Sequence, residues 1–175
     1  ALYCMEIMER DHEKLYRELE ILTETINDAL RQSRQIINNL RPHILDDIGI
    51  IAAFRKLIGD FEKKFDMNVR FSHPDSLQVS PDQGIALFRI LQEALHNTRR
   101  HAKATNVELS LRIINDGHLK MTVEDNGQGF NPRHRNRYPL RAGLGLLTMR
   151  ERTEDMGGDF IVDSQEQKGC RIIVQ

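Results

Sequence analysis

The chain has 175 residues, 39% of them hydrophobic and 29% charged, which supports a packed core and argues against disorder. Lys and Arg total 25 against 26 Asp and Glu, and the resulting charge of -1 gives no support to non-specific nucleic-acid binding. No apolar run approaches the roughly 20 residues of a membrane-spanning helix, and the two cysteines, Cys4 and Cys170, match no metal spacing and fit a reduced, cytoplasmic compartment.

Residues 1–41 have the pattern of helices that pair with other helices. Mostly apolar residues recur at alternating spacings of four and three, an a/d heptad seam: Leu15, Leu19, Leu22, Ile26, Ala29, Ser33, Ile36 and Leu40. Met5 and Met8 belong to the end of an earlier helix, with a turn near Asp11 and His12. We expect a helical hairpin, truncated at its front, that pairs with a second copy. The alternative is one long surface helix on a single domain.

The remainder of the chain alternates helical and strand patterns. Pro42 stops the first helix, and Ser80, Pro81 and Gln83 have the spacing of an N-cap, a first-turn proline and a capping box. The pattern predicts helices over 48–65, 81–101 and 146–156, and strands over 67–72, 107–114, 119–124, 160–163 and 171–174. This order favours an α+β sandwich in which helices cover one face of a sheet.

The helix that opens at Pro81 carries a polar stripe. Glu93, Asn97, Arg100 and His101 lie at i, i+4, i+7 and i+8 beside an apolar face. A carboxylate and an amide oxygen one turn apart suit Mg²⁺, which keeps most of its waters and completes its shell with a phosphate. Arg100 and His101, on the same face of the helix, could interact with the negative charge of a phosphate. The alternative is a solvated helix face.

Two glycine-containing turns follow. Asp125 ends a strand and could accept a hydrogen bond from an exocyclic amine, while Gly127 and Gly129 let a flat base approach the backbone; a simple tight turn is the alternative. Gly143 and Gly145 precede a helix, where backbone N–H groups can cradle phosphate; a loop hinge is the alternative. One of four arginines in the loop between these turns could close on a terminal phosphate as part of a lid; a solvated, mobile loop is the alternative. The four are Arg133, Arg135, Arg137 and Arg141.

Taken in order, these segments resemble sensor histidine kinases of the nitrate/nitrite-sensor subfamily. Residues 88–102 (FRILQEALHNTRRHA) are similar to the N box, 125–130 (DNGQGF) to the G1 box and 143–152 (GLGLLTMRER) to the G2 box of that family. Residues 40–49 (LRPHILDDIG) resemble the junction between its dimerisation helices and its ATPase domain. The resemblance covers nearly the whole chain, and four motifs in order are highly specific.

The resemblance implies a GHKL-type ATPase α/β sandwich preceded by a truncated dimerisation hairpin, with ATP and Mg²⁺ bound. It implies partial dimerisation helices over 1–41, a hinge over 42–47 and an ATP-binding domain over 48–175. Asn97 is the expected Mg²⁺ ligand and Glu93 the acid/base group or partner of a metal-bound water. The expected ATP-binding residues are Asn97, Arg100, His101, Ala102, Asp125, Gly127, Gly129, Phe130, Gly143, Leu144, Gly145, Leu146 and Cys170.

The chain departs from the family pattern at three places. Cys170 stands where the family usually has Thr near the adenine, and Thr98 and Arg99 replace residues that are usually apolar. No histidine in a suitable first-helix motif is present, since His12, although followed by Glu13, lies too close to the junction. We therefore expect a piece of a longer protein, with the phosphoacceptor upstream of Ala1, that binds ATP without labelling itself.

The predicted function is the catalytic region of a two-component histidine kinase. It would transfer the γ-phosphoryl group of ATP to a histidine and from there to the aspartate of a response-regulator receiver domain. The expected partners are a second copy of the chain and the regulator, with no nucleic acid and no membrane contact by this piece, although the whole protein could be anchored. The rivals are another GHKL ATPase, against which the heptad helix argues, and a degenerate GHKL nucleotide-binding and dimerisation module without kinase activity.

Overall fold

The computed structural model describes residues 22, 23, 25, 26, 43–114, 117–131 and 144–175. The chain divides into two compact units, Ala1–Arg41 and Pro42–Gln175. In the first unit Leu22 and Ile26 are helical and about half exposed, as two seam positions one turn apart; the rest of the predicted hairpin lies outside the described residues. No helix in the described part of the chain is long and apolar enough to span a membrane.

The second unit contains three α-helices, one π-helix and five strands among its described residues. The order is α1 (His43–Phe65), β1 (Asn68–Ser72), α2 (Pro81–Asn97), the π-helix (Thr98–Ala102), β2 (Asn106–Ile113), β3 (Leu119–Asp125), α3 (Leu144–Asp155), β4 (Phe160–Ser164) and β5 (Cys170–Val174). The predicted elements are confirmed, with small shifts in their bounds. α1 begins earlier than predicted and breaks at Gly49, where φ of 74° is easily adopted only by glycine.

The five strands form one sheet in the order β1-β2-β3-β5-β4. β1 pairs with β2 in parallel, and the other pairs are antiparallel. The helices cover one face, where Phe54 and Leu91 pack with Leu109 and Met121 in the buried core. The opposite face is charged and exposed, and Arg171 donates two hydrogen bonds of 2.8 Å to the Glu124 carboxylate there.

α2 begins with the capping box that the sequence predicts. The Ser80 hydroxyl accepts a hydrogen bond of 3.2 Å from the backbone N–H of Gln83, whose side chain accepts one of 3.1 Å from the Ser80 N–H. Pro81 occupies the first turn, where a missing N–H costs nothing. The box fixes the start of the helix, and therefore the depth at which its later turns reach the end of β3.

Removing the Ser80 hydroxyl should destabilise the domain measurably. Ser80→Ala leaves the backbone N–H of Gln83 without its side-chain acceptor, at a cost of about 1 kcal/mol in the free energy of unfolding. Urea unfolding checks this value, with Ser76→Ala in the exposed preceding loop as the matched control. Equal stability of the two variants would show that the box does not secure the helix.

Candidate functional site

The centre of the site is a buried carboxylate at the end of β3. Asp125 is the last residue of the strand and is 8% exposed. Its Oδ1 accepts a hydrogen bond of 2.9 Å from the backbone N–H of Gly127. Cys170 lies directly opposite on β5, so both side chains leave the same face of the sheet. The structure therefore brings together two predicted site residues, Asp125 and Cys170, and the glycine turn that follows Asp125.

The environment of Asp125 favours its protonated form more than water does. Burial raises the pKa of this carboxyl, and the neighbouring charge of Glu124 adds to the rise. Hydrogen bonds from the backbone of Gly127 and Cys170 and from the Thr98 side chain oppose it. The same desolvation, with the charge of Asp125, raises the pKa of the Cys170 thiol to about 11, so this group is a neutral thiol at physiological pH.

The turn after Asp125 packs against the end of the π-helix. A Cβ on Gly127 would overlap the backbone carbonyl of Ala102 and lie 2.6 Å from its Cβ, so only glycine fits there. The backbone N–H of Gln128 donates to the same Ala102 carbonyl at 2.7 Å. The sequence predicts that Gly127 lets a base approach the backbone, and its packing on Ala102 is a second reason for glycine at this position.

The helical stripe predicted from the sequence changes character at residue 98. Thr98–Ala102 is a π-helix, a form often found at functional sites. Thr98 is 5% exposed, and its hydroxyl lies 3.0 Å from the Ala94 carbonyl and also hydrogen-bonds Asp125. One hydroxyl proton serves only one of these acceptors at a time. A residue that departs from the family pattern thus connects the helix to the buried carboxylate.

A second cluster lies where α2 meets the first turn of α3. Glu93 and Asn97 are both half-buried, and a Cβ on Gly145 would overlap Oε1 of Glu93 and lie 3.2 Å from Nδ2 of Asn97. Leu144 begins the helix and Leu146 is half-buried against the core, while Gly143 and the four loop arginines lie outside the described residues. The cluster therefore joins two predicted residues of α2 to the glycine turn.

Arg100 and His101 project differently from Glu93 and Asn97. Both side chains are exposed on the π-helix, and Arg100 Nη1 lies 3.5 Å from Nε2 of His96. His101 uses its backbone carbonyl to accept a hydrogen bond of 2.6 Å from Nε2 of Gln128. The four residues of the predicted stripe are therefore two half-buried groups followed by two exposed ones.

The remaining predicted residues lie at the turn between β4 and β5. Gly129 has φ of 57°, and its backbone lies against the carbonyls of Gln165 and Gly169. The N–H of Phe130 donates to the Ser164 hydroxyl at 3.0 Å, and that hydroxyl donates to Gly169 at 3.0 Å. These bonds connect the turn that follows Asp125 to the turn that precedes its strand neighbour Cys170.

The residues present fit a nucleotide that brings its own phosphate oxygens to a cation. Among the described residues, no group of three or more His, Cys, Asp or Glu side chains could hold a metal ion. Glu93 and Asn97 offer one carboxylate and one amide oxygen, so phosphate and water would have to complete a Mg²⁺ shell. Gly145 packs directly against Oε1 of Glu93 and Nδ2 of Asn97, so only a residue without a side chain fits at this position.

Three further residues, which the sequence patterns did not indicate, organise the site. Asn126 Oδ1 accepts the N–H groups of Thr105 and Asn106, each at 3.0 Å, and Gln128 holds the end of the π-helix. Ser164 joins Phe130 to the β4–β5 turn. The first two stand inside the DNGQGF segment on either side of Gly127, and that position was the available signal.

Adding a methyl group at two glycines should have opposite effects. Gly127→Ala forces the turn away from Ala102 and should lower the free energy of unfolding by about 1–3 kcal/mol. Gly59→Ala, in α1 with nothing within 4 Å of the added carbon, should raise it by about 0.5–1 kcal/mol. Thermal or urea unfolding of both variants measures this, and a Gly127→Ala chain as stable as wild type would refute the close contact.

Asp125 should make stability depend on pH in a defined direction. Its pKa is raised above the ordinary 3.8, so the native state binds the proton more tightly than the unfolded state. This stabilisation is fully present below pH 3.8 and is lost as pH rises through the raised pKa. As pH rises from 3.8 through the raised pKa, the free energy of unfolding of the wild-type chain should therefore fall relative to that of Asp125→Asn. A pH-independent difference between the two chains, measured in urea, would contradict the burial of the charge.

Comparison with known proteins places these features in a family. Residues 82–175 match the model of the histidine kinase-, DNA gyrase B-, and HSP90-like ATPases. The chain is 34% identical over 161 residues to the signal transduction histidine-protein kinase/phosphatase DegS of Brevibacillus brevis, covering 90% of this chain and 40% of that protein. It is 34% identical over 156 residues to the oxygen sensor histidine kinase NreB of Staphylococcus carnosus, covering 89% and 43%.

Solved structures support the same fold. The histidine kinase domain of a blue-light activated histidine kinase from Erythrobacter litoralis aligns with a TM-score of 0.57 at 18% identity, over 71% of this chain and 58% of that one. The histidine kinase AdeS of Acinetobacter baumannii aligns with a TM-score of 0.59 at 14% identity, over 85% and 80%. The chain spans less than half the length of the two curated relatives above.

Proposed function

The chain belongs to the histidine kinase-, DNA gyrase B-, and HSP90-like ATPase family, and on that premise we propose that it is the ATP-binding catalytic region of a two-component sensor histidine kinase. The family and the α+β ATPase sandwich expected from the motifs are confirmed. The observation that carries the proposal is the pair of clusters on either side of Thr98: Asp125 with its glycine turn, and Glu93 with Asn97 and Gly145.

The Asp125 cluster would bind the adenine. Its carboxylate is a buried acceptor suited to the exocyclic amine, because a hydrogen bond to a charged group is stronger where water is excluded. The turn beside it is close-packed backbone, because Gly127 lies against Ala102 and Gly129 against the carbonyls of Gln165 and Gly169. Cys170 and Phe130 would complete this end of the site. The neutral thiol of Cys170 is a weaker partner for a base than a hydroxyl.

The Glu93 cluster would bind the phosphates and Mg²⁺. Asn97 would ligate the cation through its amide oxygen, and Glu93 would hold a metal-bound water or take a proton. The backbone N–H groups at the start of α3, at Leu144, Gly145 and Leu146, would face the phosphates together with Gly143. Arg100 and His101 would approach the same charge from the π-helix. When bound, Mg²⁺ would offset the negative charge on the phosphates.

The reaction would be phosphoryl transfer to an imidazole nitrogen. A bond forms between that nitrogen and the γ-phosphorus, the bond to the bridging oxygen breaks, and ADP leaves; Glu93 is suited to accept the imidazole proton. The site contributes orientation and charge neutralisation rather than covalent chemistry. A response-regulator aspartate would then receive the group from the histidine, which we place upstream of this chain.

The N-terminal residues would form the dimer interface and the hinge about which the catalytic domain moves. We assign 1–41 to partial dimerisation helices, 42–47 to a hinge and 48–175 to the catalytic domain. The half-exposed seam residues Leu22 and Ile26 are what an uncovered helix pairing surface requires. The break of α1 at Gly49, directly after the proposed hinge, gives the backbone a point at which helix direction can change.

Calorimetric titration of ATP, with and without Mg²⁺, tests this function. Wild type should bind ATP saturably, Asp125→Asn should lose at least about tenfold in affinity, and Asn97→Ala should lose the part that depends on Mg²⁺. The matched controls are Asp163→Asn, on an exposed β4 position, and Asn68→Ala, at the exposed start of β1. Both should bind as wild type does.

Absence of binding by a folded wild-type chain would overturn the kinase proposal. The degenerate nucleotide-binding and dimerisation module would then become the better interpretation, with Cys170 and the missing acceptor histidine as its best support. Binding with no transfer to a supplied acceptor helix would favour another ATPase of the family instead. Binding that survives both site substitutions would place the nucleotide elsewhere on the chain.

A further inference from the structure

We propose that Gln128 is a positioning residue that fixes the π-helix carrying Arg100 and His101 relative to Asp125, and that it thereby sets phosphate affinity separately from base affinity. The inference rests on the proposed function, because it assigns Asp125 to the base and the π-helix to the phosphates. Gln128 itself is placed in contact with neither part of the nucleotide.

Gln128 makes two hydrogen bonds to the last two residues of the π-helix. Its backbone N–H donates to the Ala102 carbonyl at 2.7 Å, and its side-chain Nε2 donates to the His101 carbonyl at 2.6 Å. Carbonyls at a helix end have no partner within the helix, so these bonds satisfy groups that would otherwise need water. The side-chain bond is the one that a substitution can remove alone.

The neighbours of Gln128 make this attachment rigid. Gly127 packs directly on Ala102, and Asn126 accepts the N–H groups of Thr105 and Asn106. Three consecutive residues therefore hold the end of the π-helix and the turn that leads into β2. The first of the three directly follows Asp125, so these contacts set the position of the π-helix end relative to that carboxylate.

The π-helix is also held from the α1 side. The guanidinium of Arg99 lies over the ring of Phe65 at 4.0 Å from its centroid, within the range of a cation–π interaction. π-Helices are rare and occur mostly as single turns, and contacts with Phe65, Gly127 and Gln128 hold this one. Because a one-residue change of hydrogen-bond register rotates later side chains by about 100°, loosening it would redirect Arg100 and His101.

The consequence is a split between two ligands. Adenosine depends on Asp125 and Gly127, whose mutual bond does not involve the Gln128 side chain. ATP binding depends in addition on where the π-helix presents the side chains of Arg100 and His101. Removing the side-chain amide of Gln128 should therefore lower the affinity for ATP while leaving the affinity for adenosine almost unchanged.

The test compares Gln128→Met, which keeps the size and loses the donor, with wild type. Affinity for ATP with Mg²⁺ should fall about five- to tenfold, the equivalent of one hydrogen bond, while affinity for adenosine stays within about twofold. Amide hydrogen exchange over 98–105 should become faster, with α1 and the sheet unaffected. Gln78→Met, on an exposed loop residue, is the matched control and should change neither ligand.

Gln128→Glu provides a second variant in case Gln128→Met does not fold. It keeps the side-chain length but places a hydrogen-bond acceptor against the His101 carbonyl. Affinity for ATP should therefore fall at least as much as in Gln128→Met, and affinity for adenosine should again be almost unchanged. Equal loss of both ligands, or no loss of either, would overturn the inference. If the wild-type chain bound ATP no more tightly than adenosine, both the proposed phosphate end and this inference would be wrong. If the wild-type chain bound ATP more tightly than adenosine, but the Gln128 variants lost affinity for both ligands equally or for neither, only the inference would be refuted.

Discussion

A carboxylate buried at the end of a strand needs fixed partners, and the partners of Asp125 come from three parts of the chain. The turn supplies the Gly127 N–H, β5 supplies the backbone of Cys170, and the start of the π-helix supplies Thr98. Each partner lowers the energy of the ionised form, yet burial still raises its pKa. The charge is therefore stable only while the turn, the sheet and the helix keep their mutual positions.

This constraint explains why the two clusters of the site are coupled. Thr98 is buried beside Asp125 and directly follows Asn97, whose amide faces Gly145 together with Glu93. On the other side of Asp125, Gly127 and Gln128 hold the end of the π-helix. A short stretch of chain thus connects the proposed base and phosphate ends through packing and hydrogen bonds, and the capped start of α2 fixes its depth in the domain.

The fold was predictable because local patterns and the core agree. The capping box at Ser80 and the alternation of β2 and β3 are local signals, and the structure has both elements close to their predicted bounds. The hairpin predicted over 1–41 is described only at a few helical positions, so its pairing stays a prediction.

The site was predictable only in part. The π-helix was missed because the choice between i→i+4 and i→i+5 bonding depends on contacts with Gln128 and Phe65, distant in sequence. Thr98 was read as a departure, since its role requires knowing that Asp125 lies beside it. Motif order indicated which residues matter, but their individual roles depend on packing that spacing does not encode.

Amide chemical-shift mapping of the chain titrated first with adenosine and then with ATP and Mg²⁺ tests the two-ended site most directly. Adenosine should shift the signals of Gly127, Gly129 and Cys170, and ATP with Mg²⁺ should add shifts at Asn97, Arg100 and Gly145. Shifts confined to the charged open face of the sheet, or the same set for both ligands, would contradict a site with a base end at Asp125 and a phosphate end at Asn97.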